Sequence, residues 1–202
     1  NSLREQNEKN KSDNGVAPLP IYEEGQSLTA LKVVPSAGID PVTGQEIFIK
    51  RDGTYTFVYD SNDKVIFGDT NPLGTGSITS YLTYKRFALS CSFLYSFGGS
   101  VYNETLATKV EGANPKYNAD ERVLNDRWKT PGTVAKYKRI DDTTTPYQTS
   151  RFVEKNNFLR MSSLSLSYEV PTNFIQKYGL KRMFLELLTN DLFYLSTAKR
   201  ER

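Results

Sequence analysis

The sequence predicts an all-β chain built on long antiparallel strands, and three observations carry that reading. In Phe87–Phe97 every second residue is apolar (Phe87, Leu89, Cys91, Phe93, Tyr95, Phe97), while the intervening Ala88, Ser90, Ser92, Leu94 and Ser96 are small and mostly hydroxylated. Side chains alternate across a strand, so this segment shows one greasy face and one wet face. Phe158–Val170 repeats the pattern, with Leu164, Leu166, Tyr168 and Val170 opposite Ser163, Ser165 and Ser167, and Met183–Phe193 reads as a third long strand. Finally, Arg51-Asp52-Gly53 sits between the alternating runs Glu46–Lys50 and Thr54–Tyr59. An Asp-Gly in that setting is the strongest short-range hairpin signal.

Two architectures accommodate such strands. Periodicity alone favours a soluble antiparallel sandwich, because the per-strand signal of a membrane barrel is weak. Yet a strand of this length, at ~3.3 Å per residue and tilted by roughly 45°, rises about 25 Å, the height of an outer-membrane barrel's apolar band. Aromatic residues also stand at both ends of Phe87–Phe97. The connections are sorted by length: Lys85-Arg86 and Pro171–Lys181 are short, whereas Pro35–Thr75 and Gly98–Asn157 are long. Barrels pair short periplasmic turns with long extracellular loops. A sandwich has no reason to sort its loops.

In chain order, Asn1–Gly15 is charged and Asn-rich, and residues 1–26 read as a polar arm or loop. Ser27–Val34 is a plausible strand, and the turn-rich Pro35–Gly44 leads to the hairpin at 46–59. After the loop Asp69–Gly76, Ser77–Tyr84 and Phe87–Phe97 meet across a tight turn. The long loop 98–157 carries little strand signal and one helical stretch, Ala119–Trp128, ended by Thr130-Pro131-Gly132. An insertion of this size in a compact domain is usually functional or disordered. A helical turn is expected around Phe174–Lys177, and no closing strand follows Lys199–Arg202.

Composition removes several functions. The 202 residues carry 26 Lys and Arg against 23 Asp and Glu, for a net charge of +3 without a basic tract, so a nucleic-acid footprint is absent. With no histidine and only Cys91, the usual metal ligands, disulfides and Ser/His or Cys/His catalysis are unavailable. No apolar run reaches the ~18 residues of a membrane helix, which leaves a barrel open. Gly74-Thr-Gly76 lacks the rest of a dinucleotide fingerprint, and Gly98-Gly99 lacks that of a P-loop. Asp60-Ser-Asn62-Asp63 breaks the spacing of a calcium loop and reads as an Asx-rich turn. Asp141-Asp142 and Glu23-Glu24 have nothing in the sequence to perturb them, so no enzyme is expected and no catalytic residue, metal or cofactor is assigned.

A series of phrases is more specific. AGIDPVTGQEIF (37–48), RDGT (51–54), GDTNP (68–72), LTYKRFAL (82–89), FGGSVYNETL (97–106), RVLNDRWKTPG (122–132), TSRFVEKNNFLRMSSLSLSYEVP (149–171) and NDLFYLST (190–197) follow one another over residues 27–202. Together they resemble the C-terminal barrel region of the SusC/RagA-type TonB-dependent outer-membrane transporters of Bacteroidetes. The resemblance implies a segment of a large antiparallel transmembrane β-barrel with long extracellular loops and one short loop helix. It also implies an outer-membrane location and import of oligosaccharides or, in some members, peptides. The implied partners are a SusD-like surface lipoprotein over the mouth, TonB acting through a plug region not expected within this chain, and outer-membrane lipid. The family's final strand is expected to lie beyond this sequence. A soluble secreted β-sandwich that binds glycans stands as the alternative.

Under the barrel reading, Phe87, Leu89, Phe93, Tyr95, Phe97, Leu164, Leu166 and Tyr168 form the lipid-facing girdle, with Tyr84 and Tyr178 beside it, and the serines line a wet lumen. Trp128, Tyr137, Tyr147 and Arg151 in the long loop are candidates to touch substrate or the lid protein. Each has a structural reading beside that one, and for Trp128 an anchor that holds the loop together is favoured.

Overall fold

A computed structural model describes residues 2–114, 116 and 120–198 of the chain. It divides into two units, Asn1–Asn71 with Ser100–Glu154, and Pro72–Gly99 with Lys155–Arg202.

The second unit is one antiparallel sheet. Its strands are β6 (Gly74–Tyr84), β7 (Phe87–Phe97), β10 (Phe158–Glu169) and β11 (Phe184–Asn190), in the order β11-β10-β7-β6, with β12 (Tyr194–Ser196) on the far end of β10. Sequence periodicity places β7 to the residue and β10 to within one. The register aligns side chains in ranks: Leu82, Leu89, Leu166 and Leu187 lie side by side, as do Tyr84, Phe87, Tyr168 and Leu185. A bulge at Ser162 adds one residue to β10 and keeps the apolar positions on one face along its length.

The expected strand Met183–Phe193 stops early, at Asn190, and a separate short strand, β12, follows beyond its expected end. β11 pairs with Ser163–Glu169, whereas β12 pairs with Phe158–Arg160. Between them Asp191 takes a left-handed backbone, with φ 52°. Asn-Asp tolerates that conformation better than most dipeptides, and it lets the edge follow the bulge in β10. Between β10 and β11 the chain forms α3 (Thr172–Ile175) and a 3-10 turn, Gln176–Tyr178.

The first unit is more irregular. Where a solvated arm is expected, Ser2–Ser12 forms a helix, α1. Glu, Gln, Lys and Arg are good helix formers, but a helix polar on all sides gives no amphipathic signal. Asn7 and Asn10 tie it to the carbonyls of Tyr22 and Pro20, and Lys64 donates to the carbonyls of Asn10 and Asp13 at its C-terminal end. β1 (Ala30–Val33) pairs with β5 (Val65–Asp69). β2 (Ser36–Ile39), β3 (Glu46–Ile49) and β4 (Tyr55–Thr56) form a small sheet, with β3 and β4 joined around Asp52-Gly53. Gly53 has φ 83°, which the turn requires. Asp60 accepts from the Asn62 amide, the Asx turn its sequence suggests.

The segment between β7 and β10 carries its own small core. β8 (Ser100–Tyr102) pairs with β9 (Val153–Lys155), and Ala107, Val110, Val123, Tyr137 and Phe152 cluster between a π-helical turn, Leu106–Glu111, and α2 (Arg122–Asn125). The helix expected over Ala119–Trp128 is shorter. Ala119 lies outside the described residues, and the helix stops at Asp126 because the chain there turns to bond Lys136 and Tyr137.

Candidate functional site

The sheet presents two unlike faces. Phe87, Leu89, Phe93, Tyr95, Phe97, Leu164, Leu166 and Tyr168 share one of them by register. On that face Leu82 is 59% exposed, Leu166 41% and Leu187 69%. Among the described residues of this unit there is no second sheet to cover them. The aromatic rings lie along the face: Phe87 meets Tyr168 at 4.7 Å and Phe93 meets Phe193 at 6.1 Å. Tyr95 and Phe97 lie over Gly76 and Gly74 of β6, where an added Cβ would fall within 2.7 and 2.6 Å of the rings. The two glycines dismissed above as a nucleotide motif therefore have a packing reason.

The opposite face is hydroxylated. Thr79 and Ser92 share a hydrogen bond of 3.1 Å, and the Ser165 hydroxyl donates to Glu186 at 2.7 Å. Near the β12 end, Phe158 stacks on Tyr194 and Arg160 pairs with Asp191 at 3.3 Å. The face is wet, with few charges.

The four loop candidates occupy different environments. Trp128 clamps the turn before β3: its indole N–H donates to the Pro41 carbonyl at 2.9 Å, and its ring lies against Gly44, which has φ 73°. Tyr137 is buried in the loop core. Tyr147 stacks face to face on Tyr59 at 4.2 Å, with Phe48 edge-on to both rings. The Tyr59 hydroxyl is buried, and burial raises its pKa above the ordinary phenol range. Arg151 is nearly buried between two carboxylates, with bidentate bonds of 2.7 and 2.8 Å to Glu46 and further bonds to Glu111. In this unit, then, Tyr137 and Arg151 offer no free surface for a substrate or lid, because packing and ion pairing occupy them. Trp128 and Tyr147 keep partial exposure.

Four charged residues go unnoticed in a reading of the sequence. Glu46 and Glu111 bracket Arg151, and burial raises the Glu111 pKa against the pull of the guanidinium. The same two carboxylates raise the Arg151 pKa although burial opposes it. Arg127 is buried and donates to the carbonyls of Val110, Glu111, Val123 and Lys138, so it staples three backbone segments. Lys138 donates to Thr144 and pairs with Asp142 at 3.3 Å. Their partners lie up to 105 residues away in sequence, which no local pattern reveals. Among the described residues no cluster of metal ligands occurs.

The chain is 31% identical over 154 residues to TonB-dependent receptor P3 of Formosa agariphila, a match covering 74% of this chain and 14% of that relative. The chain is thus a relative of the TonB-dependent receptors over most of its length. Its fold matches the RagAB peptide importer in its open-open state with a TM-score of 0.70 at 21% identity, over 82% of this chain and 19% of that one. The closed-closed state gives a TM-score of 0.68 at 22% identity with the same coverage. No protein-family model matches. The chain thus spans about a seventh of the curated relative and a fifth of the solved transporters.

Proposed function

We propose that this chain forms part of the barrel wall and an extracellular loop unit of a TonB-dependent importer in the outer membrane. The observation that carries the reading is the exposed, register-matched apolar face of β6, β7, β10 and β11. A bilayer covers such a face, whereas a soluble sandwich would bury it against a second sheet. The hydroxylated face then lines an aqueous lumen, and the unit built around Arg151 and Trp128 stands at the extracellular mouth. A SusD-like lipoprotein is the proposed lid, oligosaccharides or peptides the proposed cargo, and TonB, acting through a plug region, the source of energy. Tyr147 and Trp128 are the loop residues best placed to touch cargo or lid, being the candidates that keep exposure. The secreted glycan-binding sandwich is disfavoured by the uncovered sheet.

Uptake of labelled peptides and oligosaccharides by cells carrying the full receptor tests this. Uptake of one class should disappear both without the receptor and with the TonB system de-energised. A receptor that fractionates away from the outer membrane, or that leaves uptake of both classes unchanged when deleted, overturns the proposal.

A further inference from the structure

The end of the sheet formed by the two short turns has a charge and shape that barrel closure does not need. Lys85 and Arg86 make the turn between β6 and β7, and Lys177, Lys181 and Arg182 lie in the connection between β10 and β11. The two turns share one end of the sheet, where the Glu169 amide donates to the Arg86 carbonyl at 2.8 Å. All five cations are exposed. Arg182 pairs with Glu169 at 3.1 Å. Among the described residues the other four form no ion pair. At the opposite end, by contrast, Arg160 is matched by Asp191.

Apolar surface accompanies these cations. Phe174 and Tyr178, on the helical turns after β10, are 70% and 81% exposed, while Ile175 between them is buried and pins the segment. Gly179 closes it with φ 72°, and its amide donates to the Gln176 carbonyl. Lys85 lies over the Tyr84 ring at 5.2 Å and Arg182 over the Phe184 ring at 4.9 Å. Exposed aromatics beside unpaired lysines match the boundary between acyl chains and headgroups, where rings sit at the interface and cations reach outward.

We propose that this collar binds anionic phospholipid headgroups in the leaflet that meets the short turns, with Lys85, Arg86, Lys177 and Lys181 as phosphate contacts and Phe174 and Tyr178 as interfacial anchors. Charge complementarity selects this occupant: four unpaired cations around an apolar step suit a phosphate on a lipid better than an apolar protein partner. The inference rests on the membrane-spanning reading proposed above.

The test uses the full receptor in a cysteine-free background, with Asn173→Cys carrying a fluorophore, reconstituted in phosphatidylcholine bilayers. Part of the lipid is replaced by phosphatidylglycerol, and a nitroxide near the headgroup is placed on one lipid or the other. Stronger quenching by labelled phosphatidylglycerol than by labelled phosphatidylcholine is expected. The preference should fall at least about fivefold in K85Q/R86Q/K177Q/K181Q, since each cation near an anionic surface is worth about that factor. Should that variant fail to assemble, K177Q/K181Q should show a partial fall. Added inorganic phosphate should not remove the preference. If it does, the collar binds free phosphate and not lipid, and the proposal falls. Equal quenching by both lipids overturns the collar but leaves the barrel reading standing. No quenching by either lipid overturns both.

Discussion

The sheet and the loop unit reach stability by opposite routes. In the sheet the apolar residues share one face in ranks and the hydroxyls share the other. In the loop unit the apolar residues are buried instead, in a cluster around Val110 and Phe152 and around Val33, Val34 and Phe48, and buried charges tie the segments together. On the proposed reading, the difference follows from the solvent each is built for. A bilayer rewards every outward apolar side chain without any partner of matching shape, so simple alternation is enough. A loop unit in water needs contacts between distant segments, and beside its buried apolar residues it uses Arg127 on four carbonyls and Arg151 between two carboxylates.

The contrast can be broken most sharply at Arg151. Arg151→Met leaves Glu46 and Glu111 buried without their cation, and should destabilise the loop unit by about 3–5 kcal/mol. Glu111→Gln keeps an acceptor and removes surplus negative charge, so its effect should be much smaller. Limited proteolysis of 98–157 in the full receptor separates the two, and equal sensitivity would contradict the ion network.

On the sheet, Cys91→Arg at mid-strand should cost about 2–4 kcal/mol in a bilayer, while Ser92→Arg on the opposite face should cost little. Denaturant unfolding of the reconstituted receptor measures both. A smaller effect is expected at Gly44. Gly44→Ala places a methyl within 2.6 Å of the Trp128 ring at a φ of 73°, which should cost about 1–3 kcal/mol. Trp128 fluorescence should report the displaced indole, and an unchanged spectrum with unchanged protease resistance would remove the clamp.

The smallest effect is pH-dependent. Burial pushes the Asp142 carboxyl up, but hydrogen bonds from Thr144 and the charge of Lys138 outweigh it and hold it below the ordinary aspartate range. A carboxyl lowered in the folded state stabilises fully above its unfolded value near about pH 4, and that contribution is lost as pH falls through the lowered folded value. Asp142→Asn should therefore flatten the acid side of the loop unit's stability curve, as hydrogen exchange between Lys138 and Thr144 would show.

These two regions also differ in how far the sequence reveals them. β7 is legible to the residue because alternation is local and its environment is uniform along the strand. The break between Asn190 and Tyr194 is not, since a bulge in a neighbouring strand imposes it, although Asn190-Asp191 carries a turn composition that hints at it. Helix α1 hides because its docking uses asparagine side chains and Lys64 in place of an apolar stripe. Glu46, Glu111, Arg127 and Lys138 look like any surface charges. For Glu46 and Glu111 it is the distant Arg151 that makes them core residues.

The central claim is that the apolar face of the sheet meets lipid, and single cysteines along Phe87–Phe97 test it directly. They are placed one at a time in the full receptor, with Cys91 replaced by serine and any other cysteine removed. At odd positions a lipid-soluble thiol reagent should react and a water-soluble one should not, with the reverse at Ser90 and Ser92. Odd positions that resist both reagents would mean a protein core, and would contradict the account.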